Sequence, residues 1–136
     1  MTLDGLPLQF HHLGVACRDL DAEARAWTIL GYAPEGPDFT DPVQQVSGRF
    51  LTGPGPRLEL LVAAGPQSPV PAMLARGVKI YHTAYETPDF DGALQALRAR
   101  RCKLTVGPVP AIAFGGRRIA FLLLPNMNLI ELIEAA

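Results

Sequence analysis

Two glutamates and two histidines stand at positions in this chain where apolar residues are expected. Glu59 interrupts the run Leu58, Leu60, Leu61, Val62, and Glu131 interrupts Leu129, Ile130, Leu132, Ile133. A carboxylate inside a buried strand is costly unless it is paired or faces a cation. A lone case reads equally well as the solvent side of a two-faced strand, but the same residue at equivalent places twice in the chain favours the buried reading. His12 and His82 behave in parallel, each preceding its glutamate by a similar gap, 47 and 49 residues. A single histidine in a strand is ordinarily a satisfied core or edge residue. Two neutral imidazoles with two carboxylates, however, make an N2O2 donor set whose charge offsets that of a divalent cation. The set is too hard for a structural thiolate-type zinc site. It suits octahedral Fe, Ni, Co, Mn or Zn with two positions left open for substrate oxygens. On a strand His11 points opposite to His12, so it is read as a packing or edge residue.

The elements that must position these four residues also repeat. Laying Phe10-His11-His12 over Ile80-Tyr81-His82, an offset of 70, brings Asp19 onto Asp89, Asp21 onto Asp91 and Ala26 onto Ala96; Leu58-Glu59-Leu60-Leu61 falls on Ile130-Glu131-Leu132-Ile133 at an offset of 72. The chain therefore reads as two related modules, about 1–66 and 75–136, joined by the Pro-rich stretch Gly65 to Pro71. Each opens with a strand (Phe10 to Cys17; Val78 to Glu86). An aspartate follows as helix cap, Asp19 or Asp89, with an apolar stripe at helical spacing: Leu20, Ala24, Trp27 and Leu30 in one, Phe90, Leu94 and Leu97 in the other. Two or three strands complete each module, among them Val46 to Leu51 and Arg57 to Val62, and Ile119 to Leu124 and Leu129 to Glu134, separated by Gly/Pro/Asn turns. The order is β-α-β-β(-β), twice, an α+β class with helices on one face of a largely antiparallel sheet.

Composition narrows the function classes. The 136 residues suit one domain, and 49% are hydrophobic. Twelve basic against thirteen acidic residues give no broad field to attract nucleic acid or a membrane surface. The longest uncharged apolar run, Ile119 to Leu124, is far short of a bilayer span. Met1 to Phe10 carries an acid and no basic cluster, unlike a signal peptide. Cys17 and Cys102 lack metal-type spacing; one disulfide is arithmetically possible, and two reduced thiols of a cytoplasmic protein are the favoured reading. Glycine and proline, thirteen of each, imply many turns and weigh against a helical bundle.

The pattern Phe10-His11-His12-Leu13-Gly14-Val15-Ala16, with Asp19-Leu20 and Leu30-Gly31-Tyr32 after it, resembles the vicinal oxygen chelate superfamily, which includes glyoxalase I, bleomycin-resistance proteins and methylmalonyl-CoA epimerase. The match continues through Leu58-Glu59-Leu60, Tyr81-His82-Thr83-Ala84-Tyr85-Glu86, Phe114-Gly115-Gly116-Arg117-Arg118-Ile119-Ala120-Phe121 and Leu129-Ile130-Glu131-Leu132. The resemblance implies a single domain over residues 1–136, built of paired βαβββ modules forming a half-barrel around a metal site, in a homodimer. It carries the metal-ligand role onto His12, Glu59, His82 and Glu131, the four that the repeat selects. The branch resembled most is the methylmalonyl-CoA epimerase-like one, which implies a metal-dependent isomerase or epimerase acting next to the carbonyl of an acyl thioester through a metal-stabilised enolate.

The chain departs from that branch at one place. The epimerases carry a glutamate of the acid/base pair just before the third strand, where this chain reads Val43-Gln44-Gln45-Val46. Glutamine is no base, so Glu131 remains as the candidate catalytic group. A glutamate at position 59 also looks like glyoxalase I, whose lactoylglutathione lyase chemistry needs a single base. A third expectation is a metal-free small-molecule binder like the bleomycin-resistance proteins, against which the retained four ligands argue. Arg117 and Arg118 could clamp a substrate carboxylate or phosphate, or simply solvate a turn, and at most one of them faces the cavity if both lie on extended backbone. Gln44 and Gln45 could hydrogen-bond substrate or mark an exposed strand entry. Tyr81 and Tyr85 read as packing residues.

Overall fold

In a computed structural model, residues 2–3 and 5–136 are described. A small antiparallel ladder pairs β1 (Thr2–Leu3) with β2 (Leu6–Pro7). There follow β3 (Gln9–Ala16), α1 (Leu20–Thr28), β4 (Ala33–Asp41), β5 (Val46–Thr52), β6 (Leu58–Ala63), α2 (Val70–Ala75), β7 (Ile80–Thr87), α3 (Phe90–Ala99), β8 (Lys103–Pro110), a 3-10 turn (Ile112–Phe114), β9 (Arg118–Leu123) and β10 (Leu129–Glu134). The chain is α+β. It divides into two compact units, one His12–Tyr81, the other made of the residues up to His11 together with His82–Ala136.

Within the first unit the strands are hydrogen-bonded in the order β4-β5-β6-β3, with β3 parallel to β6 and the other pairs antiparallel. The second unit has the order β8-β9-β10-β7, with β7 parallel to β10. Each is a strand, a helix and three strands in which the last pairs parallel with the first. The helices begin where aspartates satisfy their orphan amides: Ala22 N donates to Asp19 Oδ1 at 2.8 Å, and Gly92 N donates to Asp89 Oδ1 at 3.0 Å. After α1 the chain turns at Gly31, whose φ of 97° favours glycine.

One face of each sheet is covered by its helix. Leu58 and Leu60 of β6 pack with Val15 and Ala24 of α1, and Ile130 and Leu132 of β10 pack with Phe90, Ala93 and Leu97 of α3. The intervening residues of β6 and β10 must then face the other way. The short helix α2 lies in the stretch read as a linker, and its Val70 packs on Ala16, Val46 and Leu61.

Both cysteines are buried and free. Burial pushes the Cys17 thiol up to about 11, with a smaller contribution from the Glu23 carboxylate, and its Sγ donates to the Leu61 carbonyl. An unfolded thiol ionises first as pH rises, so the fold loses stability above about pH 9 through this group. Among the described residues no helix is long and apolar enough to cross a membrane.

Two outcomes are expected. Leu132, fully buried in the α3 core, supports the fold: Leu132→Ala should lower stability by about 2–5 kcal/mol in urea titration, with the m-value unchanged. Iodoacetamide at pH 8 should label Cys17 far more slowly in folded protein than in urea, by mass spectrometry of tryptic peptides.

Candidate functional site

The parallel register of each unit seats a histidine beside a glutamate. On β3 and β6, Gly14 stands opposite Glu59. His12, two residues before Gly14, shares its face and is the diagonal neighbour of the glutamate. Its Nε2 lies 3.1 Å from Glu59 Oε1. On β7 and β10, Ala84 stands opposite Glu131 and His82 again precedes by two, with Nε2 3.3 Å from Glu131 Oε1. The same offset in both units gives the same pair. A small residue opposite each carboxylate leaves room for the imidazole to reach it.

These pairs are deeply buried: relative exposure is 0% for His12, 5% for Glu59, 3% for His82 and 2% for Glu131. They lie on the sheet faces opposite the helices, because Leu58, Leu60, Ile130 and Leu132 take the helix side. Among the described residues, these four are the His and Glu side chains that could together hold a metal ion. Their chemistry fits that use. Two imidazole nitrogens and two carboxylates supply neutral and anionic donors of the hard-to-borderline type that divalent Fe, Ni, Co, Mn or Zn accept.

Composition and motif reasoning overlooked two aromatic residues. In the antiparallel ladders Phe50 stands opposite Glu59 and Phe121 opposite Glu131. Each ring meets its histidine edge-to-face, His12–Phe50 at 5.5 Å between centroids and His82–Phe121 at 5.1 Å. The two phenylalanines are themselves related by an offset of 71, so the repeat that aligned the histidines contained the signal. Phe39 extends this lining, tilted against Phe50 at 5.7 Å between centroids. It occupies the space over Gly48, where an added Cβ would come within 2.3 Å of its ring.

The turn where an acid/base glutamate was sought is organised around Asp41. This 1% exposed residue lies opposite Val46 and so shares the face of Glu59. Its Oδ1 accepts from Val43 N and Gln44 N, and its Oδ2 accepts from Gln44 Nε2 at 2.9 Å. Gln44 is thereby turned onto Asp41, while Val43 is exposed. Gln45, at φ 57°, accepts from Gln67 N through its side chain. Tyr85 packs on the α3 core and meets Phe10 edge-to-face, and Tyr81 packs beside Ala16 and Val46. His11, on the other side of β3 from His12, meets the Phe114 ring.

The two arginines are placed apart from the His82–Glu131 contact. Arg117 donates from Nη1 to Glu86 Oε2 and the Glu134 carbonyl, and from Nε to the Phe114 carbonyl. Arg118 bridges Asp91 and Glu134. Those hydrogen bonds hold the Glu134 carboxyl below the usual carboxylate range.

The edge-to-face contacts make a measurable expectation. In a double-mutant cycle combining Phe121→Ala with His82→Ala, the coupling in urea unfolding should be about 0.5–1.5 kcal/mol, and the Phe50–His12 cycle should behave alike.

Comparison with known proteins agrees with this geometry. Residues 11–121 match the family model of the glyoxalase/bleomycin resistance protein/dioxygenase superfamily. The ethylmalonyl-CoA/methylmalonyl-CoA epimerase of Cereibacter sphaeroides is 28% identical over 128 residues, 91% of this chain and 96% of that protein. The crystal structure of methylmalonyl-CoA epimerase from Mycobacterium tuberculosis superposes with a TM-score of 0.78 at 25% identity, covering 94% of this chain and 88% of that one. A variant of the Streptomyces coelicolor methylmalonyl-CoA epimerase in complex with 2-nitronate-propionyl-CoA gives 0.78 at 27% identity, covering 94% and 97%. With two βαβββ units, each carrying a buried His–Glu pair, and a family match over most of its length, the chain belongs to the glyoxalase/bleomycin resistance protein/dioxygenase superfamily.

Proposed function

We propose that His12, Glu59, His82 and Glu131 together hold one divalent cation, and that the protein is a metal-dependent isomerase moving a proton on the carbon next to a carbonyl, with an acyl thioester as substrate. The observation that carries this reading is the recurrence of one buried His–Glu pair, in one register, in both units. The kinship with methylmalonyl-CoA epimerases supports the reaction class and the thioester.

A bound cation supplies Lewis acidity to a carbonyl oxygen, favouring the transition state over the ground state. The remaining work falls to the chain's own residues. Glu131 is assigned the proton removal: its carboxylate takes the proton from the substrate α-carbon, and a proton delivered to the opposite face of the planar carbon completes the inversion. Phe50 and Phe39 line the sheet face of the His12–Glu59 pair, and Phe121 that of the His82–Glu131 pair, giving each pair an apolar flank. The Asp41 turn carries no glutamate of the epimerase type: Gln44 is an amide, Val43 an alkyl side chain, and the Asp41 carboxylate is turned onto the Val43 and Gln44 amides.

That turn favours a second reading, a glyoxalase I-like lyase, because isomerising a thiohemiacetal requires one base only. A homodimer in a cytoplasmic setting is proposed with either reading. The free thiols support the setting, and light scattering tests the assembly.

Protein purified without a histidine tag should contain close to one divalent ion per chain by elemental analysis; a clean absence favours a metal-free small-molecule binder. With metal present, deuterium from solvent should enter the α position of a suitable acyl thioester, and chelation should abolish the exchange. Glu131→Gln should lower the exchange rate by at least about a hundredfold. Absence of exchange across a panel of thioesters, together with absorbance change on a methylglyoxal–glutathione mixture, would select the lyase.

A further inference from the structure

Resting on the thioester reading above, we infer that Arg117 recognises an anionic group, phosphate or carboxylate, on the thiol half of the substrate, remote from the reacting carbon. Their partners set the two arginines on different sides, Arg118 as the first residue of β9 and Arg117 just before it. Glu131, facing Phe121 across the ladder, and Ile133, facing Ile119, share one face of β10. Glu86, opposite Ile133 on β7, lies on that face too and takes Arg117 Nη1 at 3.2 Å. Arg118 goes to the helix side, where its guanidinium carbon sits 4.7 Å from the centre of the Phe90 ring. Both carboxylate oxygens of Asp91 and of Glu134 take hydrogen bonds from it. Its donors are consumed in tying α3 to the sheet.

Arg117 is held differently. Its Nε donates to the Phe114 carbonyl at 3.0 Å and its Nη1 to the Glu134 carbonyl at 2.8 Å, while Nη2 has no acceptor among the described residues. The side chain is 30% exposed. A guanidinium anchored on one edge and open on the other gives up little freedom when a planar or tetrahedral oxyanion binds. Glu86 orients the group with one oxygen and leaves that free edge available.

Distance selects the part of the substrate. The Arg117 guanidinium rests on the Glu134 carbonyl, three residues along β10 beyond Glu131, about 10 Å at the rise of a strand. A short acyl group reacting beside Glu131 cannot span that gap, whereas the thiol portion of a thioester can.

The test uses one acyl group on three thiols: coenzyme A, which carries phosphates; glutathione, which carries carboxylates; and N-acetylcysteamine, which is neutral. In the deuterium-exchange assay, Arg117→Ala should raise KM about ten- to a hundredfold for the anionic thioester that wild-type protein prefers. The kcat and the KM for the neutral thioester should hold, and R117K should fall between. An equal KM change on all three thioesters, or none, overturns the inference. Calorimetric titration of free coenzyme A and free glutathione reads the same contact without turnover. Binding to wild-type protein that R117A loses supports the inference; no binding, or equal binding to both proteins, overturns it. Should R117A fail to fold, R117Q takes its place, since its amide can still reach the carbonyls. If wild-type protein exchanges none of the thioesters yet loses thiol binding on R117A, the reaction assignment falls and the Arg117 assignment stands.

Discussion

A carboxylate withdrawn from water needs an electrostatic partner, and this constraint, met twice, shapes both halves of the chain. Glu59 and Glu131 sit in strands whose neighbours are leucine and isoleucine, and each is met by an imidazole within about hydrogen-bonding distance. The rest of each sheet accommodates that meeting. The first and last strands of a module run parallel in a register that places the histidine diagonally ahead of the glutamate. Gly14 and Ala84 keep the intervening space open, and a phenylalanine on the antiparallel side closes the far flank.

Strand alternation then separates structural from chemical work with little ambiguity. Every second residue of β6 and β10 belongs to a helix-covered core and contributes mainly burial. The residues between them face the other way and carry the polar groups. The adjacent arginines also part company: Arg118 braces α3 through Asp91, and Arg117 bonds to Glu86 and the Glu134 carbonyl.

Much of this architecture was legible in the sequence. The helix caps Asp19 and Asp89 stand where expected, and the strands around Glu59 and Glu131 agree to within a residue or two. Helical and strand periods are strong where one face is buried, which is the situation of those segments. The pairing of each histidine with its own glutamate followed from the repeat. Strands β4 and β8 were far less visible. Ala33–Asp41 contains Pro34, Gly36 and Pro37, and Lys103–Pro110 contains Gly107 and Pro108, compositions that read as loop; both terminate the sheet of their unit and carry register shifts, where such residues are tolerated. The short helix α2 was hidden inside a proline-rich stretch. Phe50 and Phe121 are indistinguishable in sequence from ordinary strand core; only the ladder register reveals that each faces a glutamate. At the Asp41 turn the sequence points to Gln44, whereas the organising group is the aspartate, whose role depends on backbone amides that side-chain patterns do not disclose.

The prolines in those two outer strands have a consequence for how copies of this chain can meet. An incoming strand adds to a sheet by pairing with its unsatisfied amides, and Pro34 and Pro37 on one border, like Pro108 and Pro110 on the other, have none to offer. Runaway stacking of one molecule on the next through those borders is thereby discouraged, and self-association is steered toward contacts between side chains.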